Sequence, residues 1–514
     1  MISAKQHIFG LRQPASHKEA STARASWLNS LLTGSVIVIF VLALISLALP
    51  IVTIGIDIER SYNEGWNAYH AARVAAGEPL YTGDPARLVN YPFLSFYLIA
   101  WLKPIFGDVL MIGRGLNLVA FAMTALLTGW IIRRFDGGAI EVLFGAACVI
   151  GFQAIQAMAW IAADEPQMLA QALMLAGLLG YVSGQPRLWR LALCAGLFAA
   201  AGFIKHNLVA IPLAVSLDLV LKDRKWFLVW CACSATALAV FAGLSEALAG
   251  HGFWAEVLAP RPYHWRNVVY HARKLVIAFK WPILGCAVYL ARPLPSSQRV
   301  LLRTYGASTL CSGLVLSGGY GVAENIYLDF IIFMGLTAGL ALGRLRQAVL
   351  AAEPRFRNAA LLSLVFALPI VTRSPYCGSA PVDLLAAFRG YQRQDEQFDE
   401  VKAMLREETG PVLCENLLLC FEAGKPLLID PFNVNSQILA GRLDESLIIE
   451  QIAHHRFSLI ELPVPIHPDP TDPFGLAPYL LNQGRFNEQT LRAIDQSYEP
   501  VFYASGAVLL APRP

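Results

Sequence analysis

Residues 56–97 read IDIERSYNEGWNAYHAARVAAGEPLYTGDPARLVNYPFLSFY and directly follow a strongly apolar run. The stretch carries three carboxylates near its start, Asp57, Glu59 and Glu64. A helix-like run rich in aromatic and small residues comes next, and Asn90-Tyr91-Pro92 closes the polar part. A connection between two membrane spans rarely needs so many polar and aromatic groups. The pattern therefore predicts that residues 57–92, the first outer loop, hold much of the functional chemistry.

The composition of the whole chain is that of a membrane protein with many spans. Of its 514 residues, 56% are hydrophobic and only 15% are charged, whereas a soluble domain has about 25% charged residues. The mean hydropathy is +0.50. The formal net charge of +3 is small, and nucleic-acid binding needs a strongly basic surface. No nucleic-acid partner is therefore expected.

Apolar runs recur along residues 31–373 and predict a mainly α-helical bundle of about eleven spans. They lie at 31–56, 113–132, 138–155, 166–183, 191–204, 208–221, 226–248, 275–290, 304–318, 327–343 and 359–372. Several are shorter than the ~20 residues that cross a bilayer, so tilted or partly spanning helices are expected. Residues 1–30 are basic and lack an early apolar core, which predicts a retained cytoplasmic segment and no cleaved signal peptide. Residues 93–105 follow Pro92 and predict an interfacial or re-entrant helix.

Lys and Arg residues divide the connecting loops into two sides of a membrane. Basic loops lie at 133–134, 187–190, 222–225, 292–303 and 344–357. They share a side with the basic N-terminus, which the positive-inside rule places in the cytoplasm. The opposite side holds the first outer loop and the loops at 160–165, 205–207, 249–274 and 320–327. An odd number of spans then predicts that residues 374–514, the tail, lie on the outer side of the cell inner (plasma) membrane.

The tail is charged and rich in proline, and its pattern predicts a small α/β domain. Amphipathic stretches at 395–406 and 445–454 predict helices, and apolar stretches at 410–414, 426–429, 457–462 and 508–510 predict strands. Cys414 and Cys420 also belong to the tail. On an oxidising side of the membrane these two residues could form a disulfide, but their spacing leaves the pairing open.

Six motifs follow one another along the chain on the predicted outer side. The first outer loop contains Glu64-Gly65-Trp66-Asn67-Ala68-Tyr69-His70-Ala71-Ala72-Arg73, Gly77-Glu78-Pro79-Leu80-Tyr81 and Asn90-Tyr91-Pro92. Later loops contain Ala163-Asp164-Glu165-Pro166, Phe203-Ile204-Lys205-His206-Asn207 and Ala323-Glu324-Asn325-Ile326-Tyr327-Leu328-Asp329. In order and sidedness the set resembles the GT-C superfamily of integral membrane glycosyltransferases. Two positions depart from that pattern: Glu64 stands where Asp is commoner, and Phe93 stands where a second Pro is common.

The resemblance implies a membrane enzyme that takes a sugar from a polyprenyl-phosphate donor and transfers it, with inversion, to a cell-envelope glycan, lipid or protein. A sugar hydroxyl attacks the anomeric carbon and must lose its proton, so a carboxylate base is required. The departing lipid phosphate gains charge, so cations or a divalent metal ion must face it. The lipid tail of the donor also needs an apolar groove that opens to the membrane lipid.

The resemblance assigns catalytic roles to three carboxylates. Glu64 is the candidate base and Asp57 is its rival, although each is alternatively a solvated or helix-capping acid. Asp164 is the third candidate, and Asp57 and Asp164 are the candidate ligands of a divalent metal ion. Asp164 and Glu165 fit acceptor binding, or alternatively the start of a helix, where acids are favourable.

Further residues are predicted to bind the donor phosphate or the substrate. Lys205 and His206 separate two apolar runs and indicate an anion site, although a lysine at a membrane boundary also snorkels. The remaining candidates are Tyr69, Arg73, Tyr91, Glu165, Arg261, Tyr263, Glu324 and Asn325. Interfacial anchoring explains Arg261 and Tyr263 nearly as well, and a capped turn explains Glu324 and Asn325.

Two other functions stay open on the sequence. Neither GxxxxGK[ST] nor a convincing GxGxxG occurs, which fits a lipid-linked donor but also a transporter or flippase of lipid-linked sugar. Transporters usually carry polar groups at mid-span and have symmetric halves, whereas the acids here lie at span ends and no internal repeat is visible. A non-enzymatic subunit of an envelope assembly is the other alternative.

Overall fold

The computed structural model describes residues 17–350, 356–373, 383–463, 485–504 and 506–514. Up to Arg373 the described chain is mostly helical. Its helices are, in order, α1 His17–Ile45, α2 Ala48–Val52, α3 Asn63–Ala75, α4 Leu94–Phe106, α5 Val109–Arg134, α6 Ala139–Ala157, α7 Gln167–Val182, α8 Leu188–Gly202, α9 Ala210–Lys222, α10 Arg224–Ala249, α11 Phe253–Val257, α12 Trp265–Ala291, α13 Ser296–Leu316, α14 Leu328–Leu350 and α15 Phe356–Arg373. Short 3-10 turns lie at Pro85–Arg87, Met158–Trp160 and Glu324–Tyr327.

All the predicted apolar runs lie on these helices. By length and composition, six described segments are long and apolar enough to cross a membrane. They are Asn29–Val52, Val109–Arg134, Ala139–Trp160, Arg224–Ala249, Trp265–Ala291 and Glu324–Gln347. Other runs form shorter helices, such as α7 with 16 residues and α8 with 15, which rise about 1.5 Å per residue and so extend less than a bilayer core.

The burial of the helices separates the centre of the bundle from its rim. α14 lies at the centre, because 94% of its most apolar window is buried and it packs against α5, α6 and α15. α10 lies at the rim, because only 6% of its window is buried. Its exposed side chains include Leu228, Leu238 and Val240. Such a continuous apolar surface is suited to contact with membrane lipid.

The first outer loop forms α3 and then runs to α4. α3 buries Trp66 and Tyr69 on one face together with the polar residues Glu64, Asn67 and His70. Burial of polar side chains at this density requires hydrogen-bond partners from other elements. The predicted helix after Pro92 forms as α4, which buries Phe96 while leaving Trp101 exposed.

The tail is an α/β unit around one small sheet. Its elements are, in order, α16 Leu384–Glu407, β1 Val412–Cys414, α17 Leu417–Glu422, α18 Pro431–Leu439, α19 Ser446–Ala453, β2 Leu459–Pro463, α20 Glu488–Ser497, β3 Tyr498–Ala504 and β4 Ala507–Pro512. The strand order is β1-β2-β4-β3; β1 and β2 are parallel, and the other neighbours are antiparallel. The predicted fold class, a mainly α-helical membrane bundle with a small C-terminal α/β part, is confirmed.

One predicted strand of the tail is wrong. Residues 426–429 do not join the sheet and have no regular secondary structure. The N–H of Asp430 at their end donates to the carbonyl of Ala86 in the first outer loop (2.8 Å). Their apolar side chains still pack against the strands: Leu427 shares a cluster with Leu459, and Ile429 shares one with Ile460. Cys414 and Cys420, whose pairing the sequence leaves open, form a disulfide between β1 and α17.

The tail packs directly on α3. α17 crosses α3 at Gly65, where a Cβ atom would lie 2.8 Å from the Cα of Leu418 and closer still to neighbouring backbone. One apolar cluster continues across the contact and includes Trp66 of α3 with Leu417 and Leu509 of the tail. The tail and the first outer loop thus share a core, and the tail is not a separately tethered module.

Gly65→Ala is expected to destabilise the protein, although alanine normally favours a helix interior over glycine by ~1 kcal/mol. The added methyl group has to displace the backbone of α17 from α3. The measurement is the unfolding midpoint in detergent. Gly196→Ala in α8 is the matched control, because a Cβ there meets nothing within 4 Å. A Gly65→Ala midpoint equal to or above that of the control would contradict the close packing.

Candidate active site

Glu64 lies at the start of α3 in a fully buried ion pair with Arg114 of α5. Arg114 donates through Nε to Oε1 (2.8 Å) and through Nη2 to Oε2 (2.9 Å). The backbone N–H groups of Arg60 (2.7 Å) and Asp164 (2.9 Å) donate to the same two oxygens. Four donors leave Glu64 little capacity to accept a proton from a substrate, and this geometry favours a positioning role.

Arg114 also determines where the first outer loop begins. Its Nη1 donates to the carbonyls of Ile54 (2.9 Å) and Ile56 (2.7 Å), and its Nη2 donates to Ile58 (2.8 Å). All five N–H donors of the guanidinium are therefore used. Asp57 is half-buried and lies between Ile56 and Ile58, two of the residues whose carbonyls bind Arg114. It is not on the wall of the cavity described below. Its predicted catalytic role stays a prediction.

Asp164 lies beside Glu64, at the turn before α7. Its carboxylate packs on Gly113 of α5, where any Cβ would collide with it, and its backbone carbonyl accepts from Asn67 Nδ2 (2.5 Å). Its Oδ2 is buried without a hydrogen-bond partner. Burial, followed by the charges of Glu64 and Glu165, raises the pKa of Asp164 well above its ordinary value. The burial of the carboxyl thus disfavours its charged form.

Glu165 joins the predicted anion site to α3. Its Oε1 accepts from Lys205 Nζ (2.8 Å), and its Oε2 accepts from Asn63 Nδ2 (3.0 Å). Lys205 also lies over the ring of Tyr91, 3.6 Å from its centroid. Burial opposes the charged form of Lys205, but Glu165 and Tyr91 outweigh burial and raise its pKa. The turn at Lys205 and the acidic turn before α7 thus lie on the same side of the bundle.

A cavity of about 370 Å³ opens next to this group. Its wall combines the first outer loop, the ends of membrane helices and the tail. The residues on it include Tyr62, Asn63, Trp66, Asn90, Tyr91, Trp160, Gln167, Lys205, His206, Asn207, Arg261, Asn325, Asp430, Phe432, Asn433 and Arg485. Carboxamides and aromatic rings predominate, which is the chemistry that stacks on a sugar ring and hydrogen-bonds its hydroxyls.

Arg261 is a cation on this wall without an ion-pair partner among the described residues. Burial lowers its pKa, and the nearby Tyr91 and Asp430 oppose that effect. An arginine retains its charge in such surroundings. Lys205 is already paired with Glu165 (2.8 Å), and burial lowers the pKa of His206 to about 4, so among the described residues of this wall Arg261 is the cation that is available to a bound anion.

The tail forms the roof of the cavity, and sequence reasoning missed it. Phe432 at the start of α18 stacks on Tyr320, with ring centroids 5.4 Å apart, and it fills the space beside Gly321, whose φ of +72° suits glycine. Asp430 and Asn433 contribute polar groups next to it. An Asp-Pro pair at a helix start was the available signal, since Asp430 caps α18.

Five residues predicted to bind substrate lie outside the cavity wall: Glu165 lies behind it in the pair with Lys205, and the other four make contacts elsewhere. Tyr69 donates to the carbonyl of Lys425 (2.5 Å) and attaches α3 to the tail. Arg73 pairs with the exposed Glu78 (2.8 Å). Tyr263 is 57% exposed and donates to the carbonyl of Val315 (2.9 Å). Glu324 pairs with Lys274 (2.5 Å) at the rim, so these four contacts give structural explanations for side chains that were predicted to be functional.

Asn325 belongs to the cavity through Gln167. Gln167 Nε2 donates to the carbonyl of Asn325 (2.8 Å), and Asn325 Nδ2 donates to Gln167 Oε1 (3.0 Å). The two carboxamides connect the 3-10 turn before α14 to the start of α7. Among the described residues, no group of three or more His, Cys, Asp and Glu side chains is arranged to hold a metal ion. The metal assignment to Asp57 and Asp164 stays a prediction.

A second group of buried acids lies where the tail meets the first outer loop. Glu461 of β2 is fully buried, and one of its oxygens lacks a partner while the other accepts from the N–H of Asn416 (2.8 Å). Burial raises the pKa of Glu461 to about 8 and that of the nearby Glu59 to about 7. Only the Glu415–Arg485 pair brings a cation to this group within the described tail.

Glu461→Gln is expected to flatten the dependence of stability on pH. A carboxyl whose pKa is raised on folding stabilises the folded state below its ordinary pKa of about 4.5, and this contribution is lost as pH rises through about 8. The wild-type unfolding midpoint should therefore fall between pH 5 and pH 8. The neutral glutamine can keep the bond from Asn416 and does not titrate. Equal slopes for the two proteins would contradict a protonated Glu461.

Comparison with known proteins adds evidence on the fold. No protein-family model and no curated protein matches the chain. ArnT from Cupriavidus metallidurans in the apo state is 10% identical with a TM-score of 0.55, over 95% of this chain and 98% of that chain. Its structure bound to undecaprenyl phosphate is 12% identical with a TM-score of 0.51, over 93% and 98%. The Archaeoglobus fulgidus oligosaccharyltransferase in the apo form is 12% identical with a TM-score of 0.53, over 92% and 73%.

These similarities confirm the GT-C resemblance at the level of the fold. The chain is a multi-pass membrane protein with the architecture that these transferases share. At sequence identities this low, the role of a residue in one of these proteins is not assigned to a residue of this chain.

Proposed function

We propose that the protein is a membrane glycosyltransferase that moves a sugar from a polyprenyl-phosphate donor to a cell-envelope glycan, lipid or protein acceptor, with inversion. The observation that carries the proposal is the cavity at the helix ends, where Arg261 forms no ion pair with a described residue, although Asp430 and Tyr91 lie near it. A departing lipid phosphate supplies the charge that this position needs. Lys205, 2.8 Å from Glu165, is the second proposed phosphate contact.

The remaining wall suits a sugar. Trp66, Trp160 and Tyr91 provide ring faces, and Asn63 and Asn90 provide carboxamides. The membrane helices that surround the cavity provide the apolar path that a polyprenyl tail needs. Related folds of known chemistry support this use: the ArnT structure holds undecaprenyl phosphate, and an oligosaccharyltransferase structure from Archaeoglobus fulgidus holds a dolichol-phosphate.

The proposed location is the cell inner membrane, with the N-terminus in the cytoplasm and the tail in the periplasm or another extracytoplasmic space. The disulfide Cys414–Cys420 supports an oxidising compartment for the tail. The acids Glu64, Asp57 and Asp164 are proposed to shape and charge the site from behind the wall, since the described wall does not include them. If a divalent metal ion takes part, Asp57 and Asp164 are the proposed ligands.

The test is transfer of labelled sugar from synthetic polyprenyl-phosphate donors to envelope acceptors, in proteoliposomes that contain the purified protein. Time-dependent formation of glycosylated acceptor with release of polyprenyl phosphate supports the proposal. Movement of intact donor across the bilayer without cleavage would instead indicate a flippase. Binding of neither donor nor acceptor would favour a non-enzymatic role.

A further inference from the structure

Asp430 is the one carboxylate on the described wall of the cavity, and it comes from the tail. Its Oδ1 accepts from the hydroxyl of Tyr62 (3.0 Å) and from the N–H of Asn433 (3.2 Å). Its Oδ2 accepts from Asn433 Nδ2 (2.5 Å), and Asn433 in turn accepts from Asn90 Nδ2 (2.5 Å). The side chain of Asp430 is thus held in one orientation and is shielded from bulk water.

Tyr62 lies beside Asp430 on the wall of the cavity. Its hydroxyl donates to Asp430 and accepts from the N–H of Phe432 (3.2 Å). A phenol oxygen has two lone pairs, so one of them remains to accept a hydrogen bond from a ligand hydroxyl that reaches this wall. Tyr62 belongs to the first outer loop, so the contact joins the loop to the tail at the reaction chamber.

Charges around the two residues suit proton transfer. The guanidinium carbon of Arg485 lies 4.0 Å from the centre of the Tyr62 ring, where a cation stabilises negative charge that develops on the phenol. Burial and the Asp430 charge raise the pKa of Tyr62 well above its usual range, so it stays neutral at rest. Burial also raises the pKa of Asp430, against the hydrogen bonds from Asn433 and Tyr62. Such a shift brings a carboxylate toward the strength of an efficient base.

We propose that Tyr62 and Asp430 form a proton relay that activates the acceptor hydroxyl. The acceptor O–H gives its proton to the Tyr62 oxygen while the Tyr62 proton moves to Asp430 Oδ1. The acceptor oxygen forms a bond to the anomeric carbon, and the bond from that carbon to the phosphate oxygen breaks. Polyprenyl phosphate leaves with the electron pair, beside Arg261. Tyr62 is the catalytic residue that touches the substrate, and Asp430 acts through it.

The relay rests on the proposed transferase function and refines it. It assigns the base to the tail, whereas the sequence directs attention to Glu64 and Asp57. Arg261 connects the two halves of the reaction, because both Asp430 and Tyr91 influence its charge while Lys205 lies over Tyr91. The base and the proposed phosphate contacts therefore share one chamber.

The test is a double-mutant cycle with Tyr62→Phe, Asp430→Asn and the double variant in the proteoliposome transfer assay. Each single variant should lower kcat about 10²- to 10⁴-fold with little change in the donor KM, as the loss of a general base does. The double variant should be no slower than the worse single variant, because the two residues act in series. Wild-type kcat should fall as pH drops below the raised pKa of Asp430. The kcat of Asp430→Asn should not show this fall.

Matched controls separate the relay from folding. Asparagine and serine are good helix caps, so Asp430→Asn and Asp430→Ser both keep α18, and both should lose turnover. Tyr498→Phe removes another buried hydroxyl of the tail, which donates to the carbonyl of Phe457 (2.9 Å) and is not on the cavity wall. Asp444→Asn changes an exposed acid of the tail. Neither variant should slow transfer. The charged groups facing the pair are Arg261 and Arg485, so Arg485→Gln tests their influence on the pH dependence and should shift it without abolishing it. Arg485 also pairs with the buried Glu415, so the unfolding midpoint of this variant is measured as well.

Other results overturn the relay. If the decreases in kcat of the two single variants add in the double variant, Tyr62 and Asp430 act separately. If a lower unfolding midpoint or a raised donor KM accounts for the decrease, their roles are structural. Full activity of both single variants in a working assay would refute the relay alone. A wild type that transfers from no polyprenyl-phosphate donor would refute the proposed function and the relay together.

Discussion

Replacing Glu64 by Gln is expected to lower the free energy of unfolding by about 3–5 kcal/mol, the cost of removing one partner from a buried ion pair. Arg114 is fully buried and would keep its positive charge without a counter-charge. The amide nitrogen of glutamine would also face an arginine N–H donor in place of an acceptor. Denaturant unfolding in mixed micelles measures the change.

The control for this prediction is Glu78→Gln. Glu78 is paired with Arg73 at the same distance of 2.8 Å, but the Glu78 side chain is 54% exposed. An exposed pair contributes only about 0–1 kcal/mol, so this variant should unfold nearly like the wild type. A Glu64→Gln protein of unchanged stability that has lost transfer would contradict the positioning role and restore Glu64 as the base.

Replacing Arg261 by Gln is expected to lower kcat/KM for the lipid-linked donor about 10- to 150-fold, which corresponds to ~1.5–3 kcal/mol for a charged hydrogen bond. Arg261 forms no ion pair with a described residue, and the buried Asp430 that lies near it keeps its hydrogen bonds from Tyr62 and Asn433. Any loss of stability should therefore be smaller than for a residue of a buried ion pair. Lys205→Met differs in this respect, since it leaves the buried Glu165 without its cation and should lose stability as well as transfer.

The matched control is Arg266→Gln, in the first turn of α12. Arg266 is exposed and is not on the cavity wall, so donor kinetics should not change. Fluorescence titration with polyprenyl phosphate, reported by Trp66 and Trp160 on the wall, checks binding separately from turnover. Equal affinity and equal kcat/KM for Arg261→Gln and wild type would contradict an anion site at Arg261.

The hydropathy pattern was sufficient to predict the helices, but it did not predict which side chains contact each other between helices. The apolar run at 327–343 predicts α14, because a long apolar segment in a membrane protein forms a helix. Nothing local predicts that Arg114 is the partner of Glu64, since the pair spans 50 positions of sequence and a single arginine in an apolar run has many explanations. Pairing of distant charges is a property of the packed bundle.

For the same reason, the sequence predicted only part of the candidate site. Lys205 and Glu165 stand out because each interrupts apolar sequence at a helix end, and the structure brings them together. Tyr69 and Arg73 stand out equally, but Tyr69 contacts Lys425 of the tail and Arg73 contacts Glu78 of the first outer loop, so neither faces the cavity. Asp430 lies in polar sequence where acids are ordinary, so only the docking of the tail makes it exceptional.

The roof over the cavity has a kinetic consequence. Phe432 occupies the space beside Gly321, and α17 lies against α3 at Gly65, so the tail is fastened at two separate points. In the proposed transfer, a long acceptor would have to pass between these two contacts or wait for one of them to open. Opening of this kind limits turnover in many enzymes, so we expect long acceptors to be transferred more slowly than a short analogue.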